Sequence, residues 1–171
     1  MTGSEKEVNL RAVLKTRLRG VIVIAGVGNT FRGDDGAGPR LVGMLREKPG
    51  WVAEPATSVH LINCRETPEN YIGSIAQLHP NTVVIVDSTH LGLPPGEASI
   101  VEVEDLLEHN PSTHRMSPAL FMNRLKEETE ADVFMLAVQP ATAALGESLS
   151  APVTLALSKL AGLMESVIRP E

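Results

Sequence analysis

Three residues in this chain carry side chains suited to shared chemistry. Asp35 follows the apolar run Val21-Ile22-Val23-Ile24-Ala25, Asp87 closes the run Thr82 to Val86, and His114 ends the polar stretch Asn110-Pro111-Ser112-Thr113. Both runs are continuous and mostly β-branched, as in strands buried on both faces of a parallel sheet. Loops that leave parallel strands open on one rim, which is where open α/β sheets bind ligands. Two carboxylates and one imidazole on that rim form an incomplete ligand set, suited to a borderline divalent ion such as Ni, Zn or Mn, with positions left for substrate or water.

Each residue also has a plainer reading. A carboxylate is favourable at a helix N-terminus, and Asp34 is expected to cap the helix that follows it. Asp87 could be a turn residue, although a carboxylate at the end of a buried strand needs a partner or an ion. His114, beside Thr113 and Ser117, could be a loop histidine satisfied by its neighbours. His90, three residues past Asp87, could be a further ligand; lining the rim or facing solvent is the expectation for it and for His60, His79 and His109.

Other chemistries find less support. Nothing around Cys64 marks an activated thiolate, and no Gly-x-Ser-x-Gly elbow is present. Gly26 and Gly28 free the backbone for a tight turn or a close ligand approach. The third glycine of a dinucleotide fingerprint would fall on Phe31, and there is no Gly-Lys-Ser/Thr phosphate loop, which argues against a nucleotide site.

The elements that must position these residues follow from patterning. Residues 4 to 18 suit a short amphipathic helix on Val8, Leu10, Val13, Leu14 and Leu18, forming an N-terminal extension over 1–20 ahead of a single catalytic domain over 21–171. A helix is expected from Pro39 to Glu47, a strand from Ser58 to Asn63, and a helix opened by Thr67 as cap and Pro68 as its first residue. After the Thr82 strand, Ser99 to Val103 alternates as an edge or antiparallel strand would, and Glu104 to His109 makes at most a short helix. Ser117-Pro118 begins a helix through Glu128, Val133 to Val138 forms the last strand, and a helix from about Pro152 to Val167 closes the chain. This order predicts a twisted, mostly parallel sheet of about five strands between helical layers.

With 171 residues and 43% hydrophobic content, the chain is long enough for one domain with a real core. A net charge of -6 and the absence of any basic run argue against non-specific nucleic-acid binding. One Cys cannot form an internal disulfide, Glu5 and Glu7 do not suit a signal peptide, and no apolar run approaches the roughly 20 residues of a membrane span. A cytoplasmic protein, monomeric and not inserted in a membrane, is expected.

Several separated segments resemble the hydrogenase maturation endopeptidases, which trim the large subunit of [NiFe] hydrogenases. They are Gly26-Val27-Gly28-Asn29 with Arg32-Gly33-Asp34-Asp35-Gly36-Ala37-Gly38; Ile85-Val86-Asp87-Ser88-Thr89 with Gly92 and Pro95-Gly96-Glu97; and Thr113-His114 with Met116-Ser117. Pro68-Glu69-Asn70 and Val138-Gln139-Pro140 are similar to segments of the branch that serves formate-hydrogenlyase-type hydrogenase. The resemblance implies a three-layer α/β/α sandwich and an aspartyl-type endopeptidase that removes a C-terminal peptide from the nickel-loaded large-subunit precursor. It implies that Asp35, Asp87 and His114 bind nickel, with Asp35 and Asp87 as catalytic residues. It further implies nickel carried by the substrate rather than tightly held by the enzyme. The chain departs from the family at His90, where an acid is often found, and the segment before Val21 is longer than usual. Two rival readings are a non-enzymatic nickel-sensing docking protein and a metallohydrolase with its own bound ion.

Overall fold

The computed structural model describes residues 3–48, 58–107 and 116–169. Its elements are α1 (Gly3–Arg17), β1 (Ile22–Val27), α2 (Ala37–Arg46), β2 (Val59–Arg65), α3 (Ile72–Ala76), β3 (Thr82–Ser88), β4 (Ala98–Val101), α4 (Val103–Leu107), α5 (Pro118–Thr129), β5 (Asp132–Val138) and α6 (Ala151–Ile168), with 3-10 turns at Gly33–Gly36 and Pro68–Tyr71. The strands form one sheet in the order β2-β1-β3-β5-β4. β1 lies parallel to β2 and β3, and β3 parallel to β5. The alternating segment supplies the exception, because β4 runs antiparallel on the outer edge of β5.

Strand side chains point alternately to the two faces, and each face has its own core. Ile22, Ile24, Val84, Val86, Phe134 and Leu136 pack with α2 and α6 on one side. Val23, Ala25, Val83, Ile85, Val133 and Met135 pack with α3 and α5 on the other. Burying an Ile, Leu, Val or Phe side chain contributes about 1.5–3 kcal/mol. Strands apolar at every position therefore hold only between two helical layers, and the molecule is the three-layer α/β/α sandwich that the order of elements predicts.

The segment before Val21 belongs to the first of these cores, where Leu14 and Leu18 are buried. Arg17 fixes α1 to the sheet. Its guanidinium donates to both carboxylate oxygens of Asp132, at 2.8 and 2.6 Å, pairs with Glu102, and lies 3.9 Å from the Phe134 ring centroid. The Thr82 hydroxyl donates to the Arg17 carbonyl at 2.8 Å. By length and composition α6 resembles a membrane span. Its Val153, Leu157, Leu160, Ala161 and Met164 are nevertheless buried in the first core.

Helix starts differ in detail from expectation. Ser117 caps α5 as expected, its Oγ accepting from Leu120 N at 3.2 Å. Thr67 holds the N-cap position before Pro68, but its hydroxyl makes no capping hydrogen bond. α2 begins at Ala37, ahead of Pro39. Proline is tolerated in a first turn, where its missing N–H has no intrahelical partner to lose.

Candidate active site

The winding of the sheet reverses between β1 and β3. α2 carries the chain from β1 to β2 over one face, and α3 returns it past β1 to β3 over the other. A crevice forms where strand order reverses, at the carboxyl ends of the strands.

Two glycines let the chain close on that crevice. Gly28 has φ +132, and a Cβ there would lie 1.8 Å from the Asp35 carbonyl oxygen. At Gly38 a Cβ would lie 2.2 Å from the Val86 carbonyl oxygen and 2.4 Å from that of Val27. The start of α2 therefore sits in contact with both strand ends. Where a Cβ would stand on Gly26 or Gly28, the chain's own turn at Gly38 and Asp35 takes the space, while Gly28 still lines the open crevice.

This packing places Asp35, in the Gly33–Gly36 turn, beside Asp87 at the end of β3. Asp35 Oδ2 accepts from Asn29 N at 3.0 Å, and Asp87 Oδ1 accepts from Ser88 N at 2.7 Å. Both line a cavity of about 210 Å³ with Glu66, and with an apolar wall that includes Ile85, Phe121 and Met135. Burial pushes the Asp87 carboxyl up to about 8; the Ser88 N–H opposes the shift and the nearby Asp35 charge adds to it. Two neighbouring carboxyl groups of this kind are suited to share a proton or to receive a cation.

Asp34 does not cap the following helix, which overturns the expectation for it. The Gly33–Gly36 turn and α2 have no side-chain cap. Asp34 is fully buried and faces the loop between β5 and α6. There it accepts from Ala141 N at 2.8 Å, Thr142 N at 3.1 Å, Ser150 N at 2.7 Å and Ser150 Oγ at 2.9 Å. Burial alone would raise its pKa, but these bonds outweigh that and hold it below the usual carboxylate value. The bonds in the loop stood in for the orphan N–H groups of the helix.

His114 lies outside the described residues, as does His109. Met116 and Ser117, which follow His114 closely in the chain, line the cavity. Among the described residues no three His, Cys, Asp or Glu side chains form a metal-ligand group, so Asp35 and Asp87 meet as a pair. His90 is exposed, does not line the cavity, and meets Gln139 Nε2 at 3.4 Å. His79 is exposed as expected. His60 departs from expectation: it is half-buried within β2, and its Nε2 lies 2.8 Å from Ser58 Oγ. Cys64 is buried in apolar surroundings that push its thiol up to about 12, which suits a structural residue.

Two site residues escape the sequence reading. Glu66 lines the cavity from the turn after β2; its place beyond an apolar strand was the available signal. The other is Gln139, which is buried and accepts from Leu91 N at 2.7 Å and Leu93 N at 3.3 Å, tying down the loop after β3. Nothing local in its sequence announces that role.

The chain is similar to known proteins in both sequence and fold. The HycI hydrogenase maturation protease family model matches residues 40–167. The hydrogenase 3 maturation protease of Escherichia coli K12 is 39% identical over 119 residues, which is 69% of this chain and 72% of that protein. The crystal structure of the [NiFe] hydrogenase maturation protease HycI from Thermococcus kodakarensis KOD1 superposes with a TM-score of 0.80 at 32% identity, covering 94% of this chain and 98% of that one. The solution structure of the endopeptidase HycI from Escherichia coli gives a TM-score of 0.70 at 30% identity, covering 86% and 90%. From the family match over most of its length, and from relatives that share both sequence and fold, the chain belongs to the hydrogenase maturation proteases.

Proposed function

We propose that this endopeptidase removes a C-terminal peptide from the large-subunit precursor of a [NiFe] hydrogenase once nickel is in place, and that Asp35, Asp87 and His114 meet that nickel as part of the substrate. The observation that carries this reading is the meeting of two carboxylates, one from the turn after β1 and one from the end of β3, in one cavity at the reversal point of the sheet.

Backbone N–H groups orient one oxygen of each acid: Asn29 holds Asp35 and Ser88 holds Asp87. Their other oxygens are left for the substrate. Two carboxylates so close repel each other, and a precursor that brings a cation relieves the repulsion, whereas an empty precursor does not. Docking then reports that metal insertion is complete, and it sets the tail across the acid pair for hydrolysis with a carboxylate as general base. Such an enzyme holds no tight metal of its own and works in the cytoplasm, as a monomer, on a protein partner.

The test is incubation with nickel-loaded and nickel-free precursor, followed by intact mass of the precursor. Loss of a C-terminal peptide from the loaded form alone is expected, with Asp35→Ala, Asp87→Ala and His114→Ala each slowing it by about 100-fold or more. Cleavage of the nickel-free precursor at the same rate would refute metal gating. Failure to cleave a competent loaded precursor would refute the proposed substrate.

A further inference from the structure

Beside the acid cavity, and sharing Gly28 and Glu66 with it, lies a second hollow of about 500 Å³ walled also by Asn29, Phe31, Asn63 and Arg65. Arg65 is exposed and has φ +53, in the left-handed region that glycine adopts freely and other side chains resist. The backbone is held there from both sides. Arg65 N donates to Asn63 Oδ1 at 3.0 Å, and the Arg65 carbonyl accepts from Gly28 N at 2.9 Å. The register of β1 on β2 also slips at this point, with Gly26 opposite Asn63 and Val27 opposite Arg65. Such a bulge re-aims the side chain that follows it.

A guanidinium thus stands at a conformation costly for most side chains, on a bulge at the rim of a groove that continues the acid cavity. In a chain of net charge -6 it offers a positive point to an incoming anion. We propose that Arg65 is a specificity residue that binds a carboxylate of the precursor chain near the cut, with the flanking segment seated in this hollow. Arginine pairs with carboxylates through two parallel N–H donors, which fixes position as well as charge. Phe31, 75% exposed and lining the same hollow, supplies an apolar face for a neighbouring substrate side chain. This inference rests on the proposed reading of the acid cavity. The carboxylate belongs either to an acidic side chain of the precursor or to its chain terminus.

The test compares cleavage of nickel-loaded precursor by the wild-type chain, Arg65→Gly, Arg65→Asn and Arg65→Lys. Glycine and asparagine tolerate the left-handed backbone, so both variants should fold, with Tm unchanged or raised by about 2–4 °C. KM should rise about tenfold in both while kcat stays within about twofold, and Arg65→Lys should recover part of the loss; tenfold is what loss of one charge-assisted pair of modest strength would give. Precursors with amides in place of the acidic residues near the cut, and a precursor amidated at its terminus, identify the source. Whichever modification raises KM for the wild-type chain should add nothing for Arg65→Gly. An unchanged KM in Arg65→Gly and Arg65→Asn, with cleavage intact, overturns the assignment of Arg65 and leaves the proposed activity standing. A rise that neither modified precursor reproduces overturns the carboxylate, and failure of the wild-type chain to cleave overturns both proposals.

Discussion

Asp87 carries the strongest electrostatic tension in the described site. Its carboxyl is raised from 3.8 to about 8 by burial, with the Asp35 charge adding to the shift. The folded state therefore holds this proton more tightly than the unfolded chain does. The stability it confers is complete below about pH 3.8 and is lost as pH rises through about 8. Asp87→Asn should accordingly be more stable than wild type at pH 9 and no more stable at pH 4, when unfolding by urea is followed at both. At about 1.4 kcal/mol per pH unit, the upper bound on the gain is about 6 kcal/mol. The Cys64 thiol, pushed up to about 12, should resist alkylation at pH 8 until the protein unfolds, as mass spectrometry with and without denaturant would show.

At the scale of elements, the site depends on segments that are far apart in the chain. Asp34 joins the turn after β1 to the loop that leads into α6, through bonds to Ala141, Thr142 and Ser150. Asp34→Ala leaves those partly buried donors without their acceptor and should cost about 2 kcal/mol at pH 7. The pKa of Asp34 is lowered, so its contribution is present above about pH 3.8 and fades as pH falls below that value. The deficit of Asp34→Ala should then narrow in acid, measured as the difference in unfolding free energy between pH 7 and pH 3. Gly38→Ala tests the other junction. Its Cβ would sit 2.2 Å from the Val86 carbonyl oxygen, and backbone cannot yield there as a side chain end could. A loss of about 2 kcal/mol or more is expected, read as a lowered Tm.

For the molecule as a whole, α1 is the part that the family resemblance leaves unexplained. It buries Leu14 against the same core as α2 and α6, and its last residue, Arg17, ties Asp132 at the start of β5 to Glu102 beyond β4. The pairs are partly exposed, with side-chain accessibility of 20% for Arg17 and 43% for Asp132, so screening limits them. Arg17→Ala should cost about 1–2 kcal/mol, including the contact with the Phe134 ring. Removing residues 1–17 should cost more, because the buried surface of Leu14 goes with them; equilibrium unfolding of the two variants separates the contributions.

The sequence by itself determined the strands, their burial on two faces and the acids at their ends, because a continuous β-branched run has one stable setting, between helical layers. Asp35 and Asp87 were legible for that reason: a carboxylate at the last residues of such a strand, or in the turn that leaves it, lies on the carboxyl rim. The strand order, and with it the crevice, came from the fold, since local pattern does not say on which side of β1 the third strand lies. Asp34 and Asp35 are neighbours of the same type in the sequence, and only tertiary packing separates them: one turns to the backbone amides of a loop more than 100 residues away, the other to the cavity. Arg65 was illegible for a related reason. Its conformation follows from a one-residue slip between β1 and β2, and the energy that sets such a register is spread over the whole sheet rather than written in the residue that bears it.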